Sequence, residues 1–133
     1  MTLLLGKEPI EETGYYIRPT IFEVDSKEAS ILQEEIFGPV ISLIKVNNFE
    51  KAIQIANETQ YGLSAAIFTN NLAKAQTFIE EVEVGMIHIN TGTVLTEVQA
   101  PFGGAKQSSV GPKEQGKAAK EFYTKTKIVY QSS

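Results

Sequence analysis

The fold of this chain is decided by residues 41–89, which read ISLIKVNNFEKAIQIANETQYGLSAAIFTNNLAKAQTFIEEVEVGMIHI. Residues 41–46 are a short, β-branched and mostly apolar run that is typical of a buried strand. Similar runs follow at residues 64–68 and 86–89, and helical periodicity fills the intervals between them. Strand, helix, strand, helix and strand with short connections predict parallel strands and right-handed crossovers. The predicted fold class is α/β, with a parallel-sheet βαβαβ core.

Each connecting helix is marked by a capping residue and an apolar face. Asn47 stands three residues before Glu50, which is the spacing of a capping box, and Asn70 or Asn71 is predicted to cap the second helix. Gly85 is placed to end that helix. The predicted apolar faces are Phe49, Ala52, Ile53 and Ala56 in the first helix, and Leu72, Ala75, Ile79 and Val82 in the second.

The residues on either side of this core are predicted to be less regular. Residues 2–5 and 15–24 look extended, but Pro19 lacks an N–H and keeps the second of these segments out of a central position in a sheet. Residues 91–112 hold four glycines and two prolines with little periodicity, which predicts a long functional loop. The chain is predicted to end with a short helix over residues 113–123 and a short strand over residues 127–130.

Composition places the chain among ordinary globular proteins. Its 133 residues, 42% hydrophobic and 21% charged, suit one domain without a linker. Lys and Arg number 12 against 16 Asp and Glu, whereas a nucleic-acid binder carries a basic face. No apolar run approaches the roughly 20 residues of a membrane span, and no signal peptide is visible. We therefore expect a cytoplasmic protein with no nucleic-acid or membrane partner.

Cysteine is absent from the chain, and the one histidine is His88. The absence of cysteine excludes disulfides, zinc–thiolate sites and a cysteine nucleophile among these residues. A single histidine excludes a metal site built on a histidine pair, and in a strand it is interpreted as a satisfied structural residue rather than a base. The sequence predicts no catalytic residue and no metal ligand in this chain.

Two short motifs are candidates for binding. QEEIFGPV, residues 33–40, leads into the first core strand. Neighbouring carboxylates in an extended segment point to opposite sides, so Glu34 and Glu35 do not form an acid–base pair, and the motif alone also fits a turn with two solvated acids. PFGGAK, residues 101–106, matches neither a phosphate-binding P-loop nor a dinucleotide fingerprint. Its pattern alone favours a structural Gly-Gly turn.

Taken together, several motifs resemble the carboxy-terminal part of the aldehyde dehydrogenase superfamily, in the family's order and spacing along essentially the whole chain. They are GYYIRPTIF at residues 14–22, EEIFGPV at 34–40, YGLSA at 61–65, GMIHIN at 85–90 and PFGGAK at 101–106. Residues 108–116 and 121–124 are similar to the branch that acts on semialdehydes such as α-ketoglutarate semialdehyde. Residues 1–133 are therefore expected to be one portion of a catalytic domain, without the Rossmann domain.

The resemblance implies roles for three residues. Glu35 matches the glutamate that holds the nicotinamide ribose hydroxyls, and Phe37 matches the phenylalanine beside the nicotinamide ring. Phe102 matches the aromatic residue that lines the aldehyde tunnel, next to a substrate-selecting loop over residues 91–99. The implied cofactor is NAD or NADP, and the implied reaction is oxidation of an aldehyde or semialdehyde to a carboxylate. The last strand, residues 127–130, is implied to join the sheet of a neighbouring subunit in a homo-oligomer.

The family reaction also implies groups that this chain does not supply. A cysteine thiolate attacks the aldehyde carbonyl, and a second glutamate activates the water that hydrolyses the resulting thioester. The resemblance places both in sequence upstream of the present residues. We therefore expect a fragment of an aldehyde dehydrogenase that is inactive alone and pairs with a missing amino-terminal portion. The alternative is a non-catalytic α/β module for docking or oligomerisation.

Overall fold

The computed structural model describes residues 1–8, 10, 13–26 and 28–133. The chain divides into two compact units, Met1–Thr59 and Gln60–Ser133. Across the described residues, no helix combines the length and the apolarity that spanning a bilayer requires. That the whole chain belongs to one catalytic domain stays a prediction.

The described residues of the first unit form a three-stranded sheet and two helices. The strands are β1 (Thr2–Leu5), β2 (Thr20–Glu23) and β3 (Val40–Leu43), and the helices are α1 (Ser30–Gln33) and α2 (Phe49–Asn57). β2 is the central strand, antiparallel to β1 and parallel to β3.

The expectation that Pro19 keeps its segment out of a central position is wrong. Pro19 lies just before β2, so its missing N–H falls outside the ladder. The first donor that the strand needs is the Thr20 N–H, which donates to the Pro39 carbonyl over 2.8 Å. A proline just before a strand therefore leaves the strand able to form hydrogen bonds with a neighbouring strand on each side.

The second unit contains a parallel strand pair, a short antiparallel pair and two helices. β5 (Ser64–Ile67) and β6 (Met86–Ile89) are parallel and are connected by α3 (Leu72–Glu81). β4 (Tyr61–Gly62) pairs with β7 (Ala105–Lys106), and α4 (Ala118–Tyr123) follows. The βαβ unit predicted over the second half of the core is confirmed.

The α/β class is confirmed, but its parallel strands are divided between sheets. β3 takes β2 as its parallel neighbour, and β5 takes β6. The single sheet expected through residues 41–89 is therefore not formed. Periodicity identifies a buried strand but carries no information about its partner, and β3 finds one in sequence that precedes it.

Asparagine side chains cap both long helices. The amino-terminal cap of α2 is Asn48 and not Asn47. Asn48 Oδ1 accepts a hydrogen bond from the Lys51 N–H at 2.8 Å. Asn71 caps α3 in the same way, accepting from the Lys74 N–H at 3.1 Å. Each amide oxygen satisfies one of the N–H groups that a helix amino terminus leaves unpaired.

Replacing Asn48 with alanine is expected to lower the free energy of unfolding by about 1 kcal/mol, because the Lys51 N–H loses its acceptor. Asn47→Ala is the matched control, since it removes the same side chain one residue before the cap and is expected to change stability by less than about 0.5 kcal/mol. Urea denaturation followed by circular dichroism measures both variants. Equal effects of the two substitutions would show that the Asn48 cap contributes nothing.

The predicted apolar face of α3 is confirmed at Ala75 and Val82 and is wrong at Leu72 and Ile79. Ala75, Phe78 and Val82 are buried, whereas Leu72 and Ile79 are 83% and 45% exposed. The helix carries two overlapping apolar stripes, and packing selects the one that includes the aromatic ring. In α2 the predicted face is confirmed at Ile53, which is buried.

The carboxy-terminal elements are shorter than predicted. Gln115 and Gly116 have φ angles of 68° and 51°, outside the helical region, so the helix begins at Ala118 and not at Lys113. Residues 127–130 do not form the expected strand, and Tyr130 is 92% exposed. A strand needs a neighbouring strand to bond with, and the described residues provide none for this segment.

Candidate functional site

Glu35 and Phe37 lie in the irregular segment between α1 and β3. The Gly38 N–H donates to the Ile36 carbonyl and the Val40 N–H to the Gly38 carbonyl, each over 2.8 Å. These bonds close two successive three-residue turns, and the fixed φ angle of Pro39 makes this corner of the chain rigid. The segment therefore enters β3 in a defined conformation.

Both predicted cofactor-binding side chains are exposed within the first unit. Phe37 is 93% exposed, and Glu35 is exposed as well. An exposed carboxylate beside an exposed ring is available to contact a ligand. Exposure of Glu34 and Glu35 also agrees with the alternative of two solvated acids, so the roles of Glu35 and Phe37 stay predictions.

The second unit contains a cavity of about 290 Å³ that is lined by Phe102 and by the amino-terminal end of β6. Residues 85–88 supply the strand side of this cavity, and the long loop supplies its other side. The loop residues are Leu95, Thr96, Glu97, Ala100, Pro101 and Phe102. The structure thus brings Phe102 together with part of the predicted substrate-selecting loop.

The backbone around Phe102 is held from several directions. The Phe102 N–H donates to the Glu114 carbonyl at 2.7 Å, and the Glu114 N–H donates back to the Phe102 carbonyl at 3.0 Å. The next residues pack directly on Gly85, where a β-carbon would lie 1.9 Å from the Gly103 carbonyl oxygen. Gly85 thus allows close approach of the Gly103–Gly104 backbone to the start of β6.

Charged groups secure the same loop. Lys106 Nζ lies 3.1 Å from a carboxylate oxygen of Glu83, and Lys113 Nζ donates to the Gly85 carbonyl. The Tyr123 hydroxyl donates to Glu114 Oε2 at 3.0 Å. This hydrogen bond to a carboxylate raises the pKa of Tyr123, because it favours the protonated phenol.

The prediction that His88 is a satisfied structural residue is wrong for its Nε2 atom. His88 lies in β6 and lines the cavity beside Phe102, and its Nε2 is buried without a hydrogen-bond partner within the described part of the chain. Residues two apart in a strand lie on the same face, so the sequence could have placed His88 on the same face as Met86. Among the described residues, no three His, Asp or Glu side chains converge in a group that could hold a metal ion.

The second unit is thus an α/β unit in which the second strand of a βαβ motif and an aromatic residue of a glycine-rich loop line a common cavity. The chain belongs to the aldehyde dehydrogenase family, whose model matches residues 1–129. The predicted resemblance to this family is confirmed.

Semialdehyde dehydrogenases are among its most similar relatives. The chain is 50% identical to the alpha-ketoglutaric semialdehyde dehydrogenase of Bacillus subtilis, over 97% of this chain and 27% of that protein. It is 43% identical to the alpha-ketoglutarate semialdehyde dehydrogenase of Haloferax volcanii, over 91% of this chain and 25% of that protein. The chain spans about a quarter of the length of these relatives.

Solved structures of aldehyde dehydrogenases contain the same fold. The lactaldehyde dehydrogenase of Escherichia coli matches with a TM-score of 0.88 and 34% identity, over 99% of this chain and 27% of that one. A mutant indole-3-acetaldehyde dehydrogenase of P. syringae, solved in complex with NAD+ and IAA, matches with a TM-score of 0.84 and 41% identity, over 93% of this chain and 25% of that one.

Proposed function

We propose that this chain is the carboxy-terminal part of an NAD(P)-dependent aldehyde dehydrogenase that oxidises a semialdehyde to a carboxylate. The observation that carries the proposal is the 50% identity, over 97% of the chain, to a protein named alpha-ketoglutaric semialdehyde dehydrogenase. The cavity beside Phe102 and the exposed pair Glu35 and Phe37 give this assignment its chemistry.

In this role the first unit binds the nicotinamide end of the cofactor. The Glu35 carboxylate accepts hydrogen bonds from two ribose hydroxyls, and a charged acceptor makes such bonds strong. The Phe37 ring packs beside the flat nicotinamide and orients it. The bound cofactor supplies hydride acceptance. The exposure of both side chains fits this task, since an exposed side chain is accessible to a ligand.

The second unit shapes the entrance for the aldehyde. A cavity of about 290 Å³ lies at the small end of the range for ligand pockets, which suits a short semialdehyde. Phe102 and Leu95 provide apolar wall, while Thr96 and Glu97 supply polar groups that select among substrates. These side chains position the aldehyde and exclude water from part of its surface.

In this proposal the nucleophile comes from other polypeptide, because the chain contains no cysteine, and the water-activating glutamate comes from there too, as the family resemblance implies. Its surface fits such a partnership. Tyr15 and Val110 are fully or almost fully exposed, as is Phe37, and buried hydrophobic side chains within the described residues are few. Large exposed apolar groups mark surfaces that other protein covers. We propose that the covering protein is the amino-terminal portion of a dehydrogenase, within a homo-oligomer.

A chimaeric enzyme tests this function. Replacing the matching carboxy-terminal quarter of the Bacillus subtilis relative with this chain is expected to give NAD(P)-dependent oxidation of α-ketoglutarate semialdehyde, with kcat/KM within about tenfold of the parent. The control is the relative truncated before the replaced segment, which is expected to be inactive, as is the present chain alone.

Two results would contradict the proposal. One is turnover of any aldehyde by the isolated chain, since the expected nucleophile lies elsewhere. The other is a chimaera that folds and assembles like the parent yet oxidises none of a panel of aldehydes and semialdehydes. The second result would favour the alternative of a docking or oligomerisation module.

A further inference from the structure

We propose that Ser109 is a positioning residue for the substrate cavity, which acts on Phe102 through the Gly103–Gly104 peptide. The inference rests on the proposed role of Phe102 in the aldehyde tunnel. It adds that the Ser109 side chain determines the position of the Phe102 ring. In consequence, Ser109 controls which aldehyde lengths the cavity accepts.

The hydroxyl of Ser109 holds the turn that follows Phe102. Ser109 Oγ accepts a hydrogen bond from the Gly104 N–H at 2.7 Å, and the bond is partly buried. The chain returns to this point through a turn in which the Ser108 N–H donates to the Ala105 carbonyl at 3.1 Å. Leaving a partly buried N–H without its acceptor costs free energy in the folded state, so the hydroxyl stabilises this conformation of the turn.

The backbone is hydrogen-bonded at Phe102 itself and again two residues later, and the second of these bonds depends directly on a side-chain acceptor. Before the ring, the Phe102 backbone exchanges two hydrogen bonds with the Glu114 backbone, and no substitution that preserves the backbone removes them. After the ring, the Gly104 N–H relies on Ser109 Oγ. Ser109 is therefore one position at which a side-chain change is expected to alter the position of Phe102 without adding bulk to the backbone contacts.

A second cavity gives the ring somewhere to move. Phe102 lines the cavity of about 290 Å³ next to β6, and it also lines one of about 350 Å³ whose other walls include Leu63, Val110 and Phe122. Ser109 lines this second cavity as well. If the turn after Phe102 relaxes, the ring gains room on that side, and the cavity next to β6 becomes longer.

The neighbouring serine provides a matched comparison. Ser108 Oγ accepts a hydrogen bond from the Gly62 N–H at 2.9 Å. It therefore makes the same kind of bond as Ser109, but to β4 instead of to the turn after Phe102. Ser108→Ala and Ser109→Ala each leave one partly buried N–H without its acceptor. A purely structural role for Ser109 predicts that the two variants behave alike.

The first experiment measures the hydrogen bond itself in the full 133-residue chain by NMR hydrogen exchange. The Gly104 amide is expected to be protected, to exchange about tenfold faster in Ser109→Ala, and to recover in Ser109→Thr, which restores a hydroxyl. Rapid exchange of this amide in the unsubstituted chain would overturn the proposal, and so would unchanged protection in Ser109→Ala.

The second experiment uses the chimaeric dehydrogenase and a series of straight-chain aldehydes of increasing length. Ser109→Ala is expected to raise the ratio of kcat/KM for long over short aldehydes by about three- to tenfold, mainly through KM. Ser109→Thr is expected to keep the original ratio, and Ser108→Ala to lower Tm similarly without changing the ratio.

Phe102→Ala separates a failure of the inference from a failure of the proposed function. If Phe102→Ala changes the length preference and Ser109→Ala does not, Ser109 is not a positioning residue and the inference is overturned. If Phe102→Ala also leaves the preference unchanged, Phe102 does not line the tunnel, and the proposed role on which the inference rests is wrong. The activity of the chimaera itself is judged separately by its turnover of semialdehyde.

Discussion

Replacing Gly85 with alanine is expected to destabilise the second unit by about 3 kcal/mol or more, the largest effect of any substitution considered for this chain. The added β-carbon would lie 1.9 Å from the Gly103 carbonyl oxygen and 2.6 Å from the Gly104 α-carbon. Both neighbours are backbone atoms, so no side-chain rotation relieves the clash. Gly85 is itself held in place, because its N–H donates to the Gly62 carbonyl at 2.9 Å.

The matched control for this substitution is Gly92→Ala. Nothing lies within 4 Å of a β-carbon built on Gly92, so alanine there is expected to change the free energy of unfolding by less than about 0.5 kcal/mol. Thermal and urea denaturation of both variants measure the difference. A Gly85→Ala variant as stable as Gly92→Ala would show that the Gly103–Gly104 backbone does not pack on the start of β6, and the described cavity would lose its support.

Neutralising Glu35 is expected to have the largest effect on function. In the chimaeric dehydrogenase, Glu35→Gln should raise KM for NAD(P)+ by roughly ten- to a hundredfold, because charge-assisted hydrogen bonds to two hydroxyls become weaker neutral ones. The KM for the aldehyde should change little, since the carboxylate contacts only the cofactor in the proposed arrangement. Initial rates at varied cofactor and fixed saturating aldehyde measure the effect.

Glu34→Gln is the internal control for the Glu35 substitution. Glu34 carries the same charge, is also exposed, and directly precedes Glu35, so a general effect of surface charge would appear in both variants. In the extended backbone that follows α1, neighbouring side chains point in opposite directions. A cofactor KM that rises equally in the two variants would contradict the role of Glu35 and support the alternative of two solvated acids.

Local structure followed closely from local sequence in this chain. β6 spans the predicted residues 86–89, and Asn71 was one of two caps proposed for α3. Errors appeared where two local solutions were nearly equivalent, as with Asn47 against the neighbouring Asn48 at the start of α2. One residue more or less at a helix end changes few interactions, so a pattern does not separate such neighbours.

For the candidate site, some residues are predicted from the sequence and others are recognised only in the structure. The resemblance supplied Phe102 and the loop over residues 91–99, and the structure places part of that loop beside Phe102 around one cavity. The contribution of Ser109 was not predicted, because a serine five residues from a glycine has no distinguishing pattern. Its hydrogen bond to the Gly104 N–H exists only when the turn between them forms.

The sequence by itself determined the class of the fold, the type of most of its long elements and the family, since each depends on residues that are near one another in the chain or on motifs in order. Tertiary structure alone decided that β3 pairs with β2, which face of α3 is buried, and why Gly85 must be glycine. The physical reason is the distance along the chain over which each kind of interaction acts. Periodicity and caps are set within one or two turns of chain, whereas strand pairing and close packing are set by contacts between segments that only folding brings together.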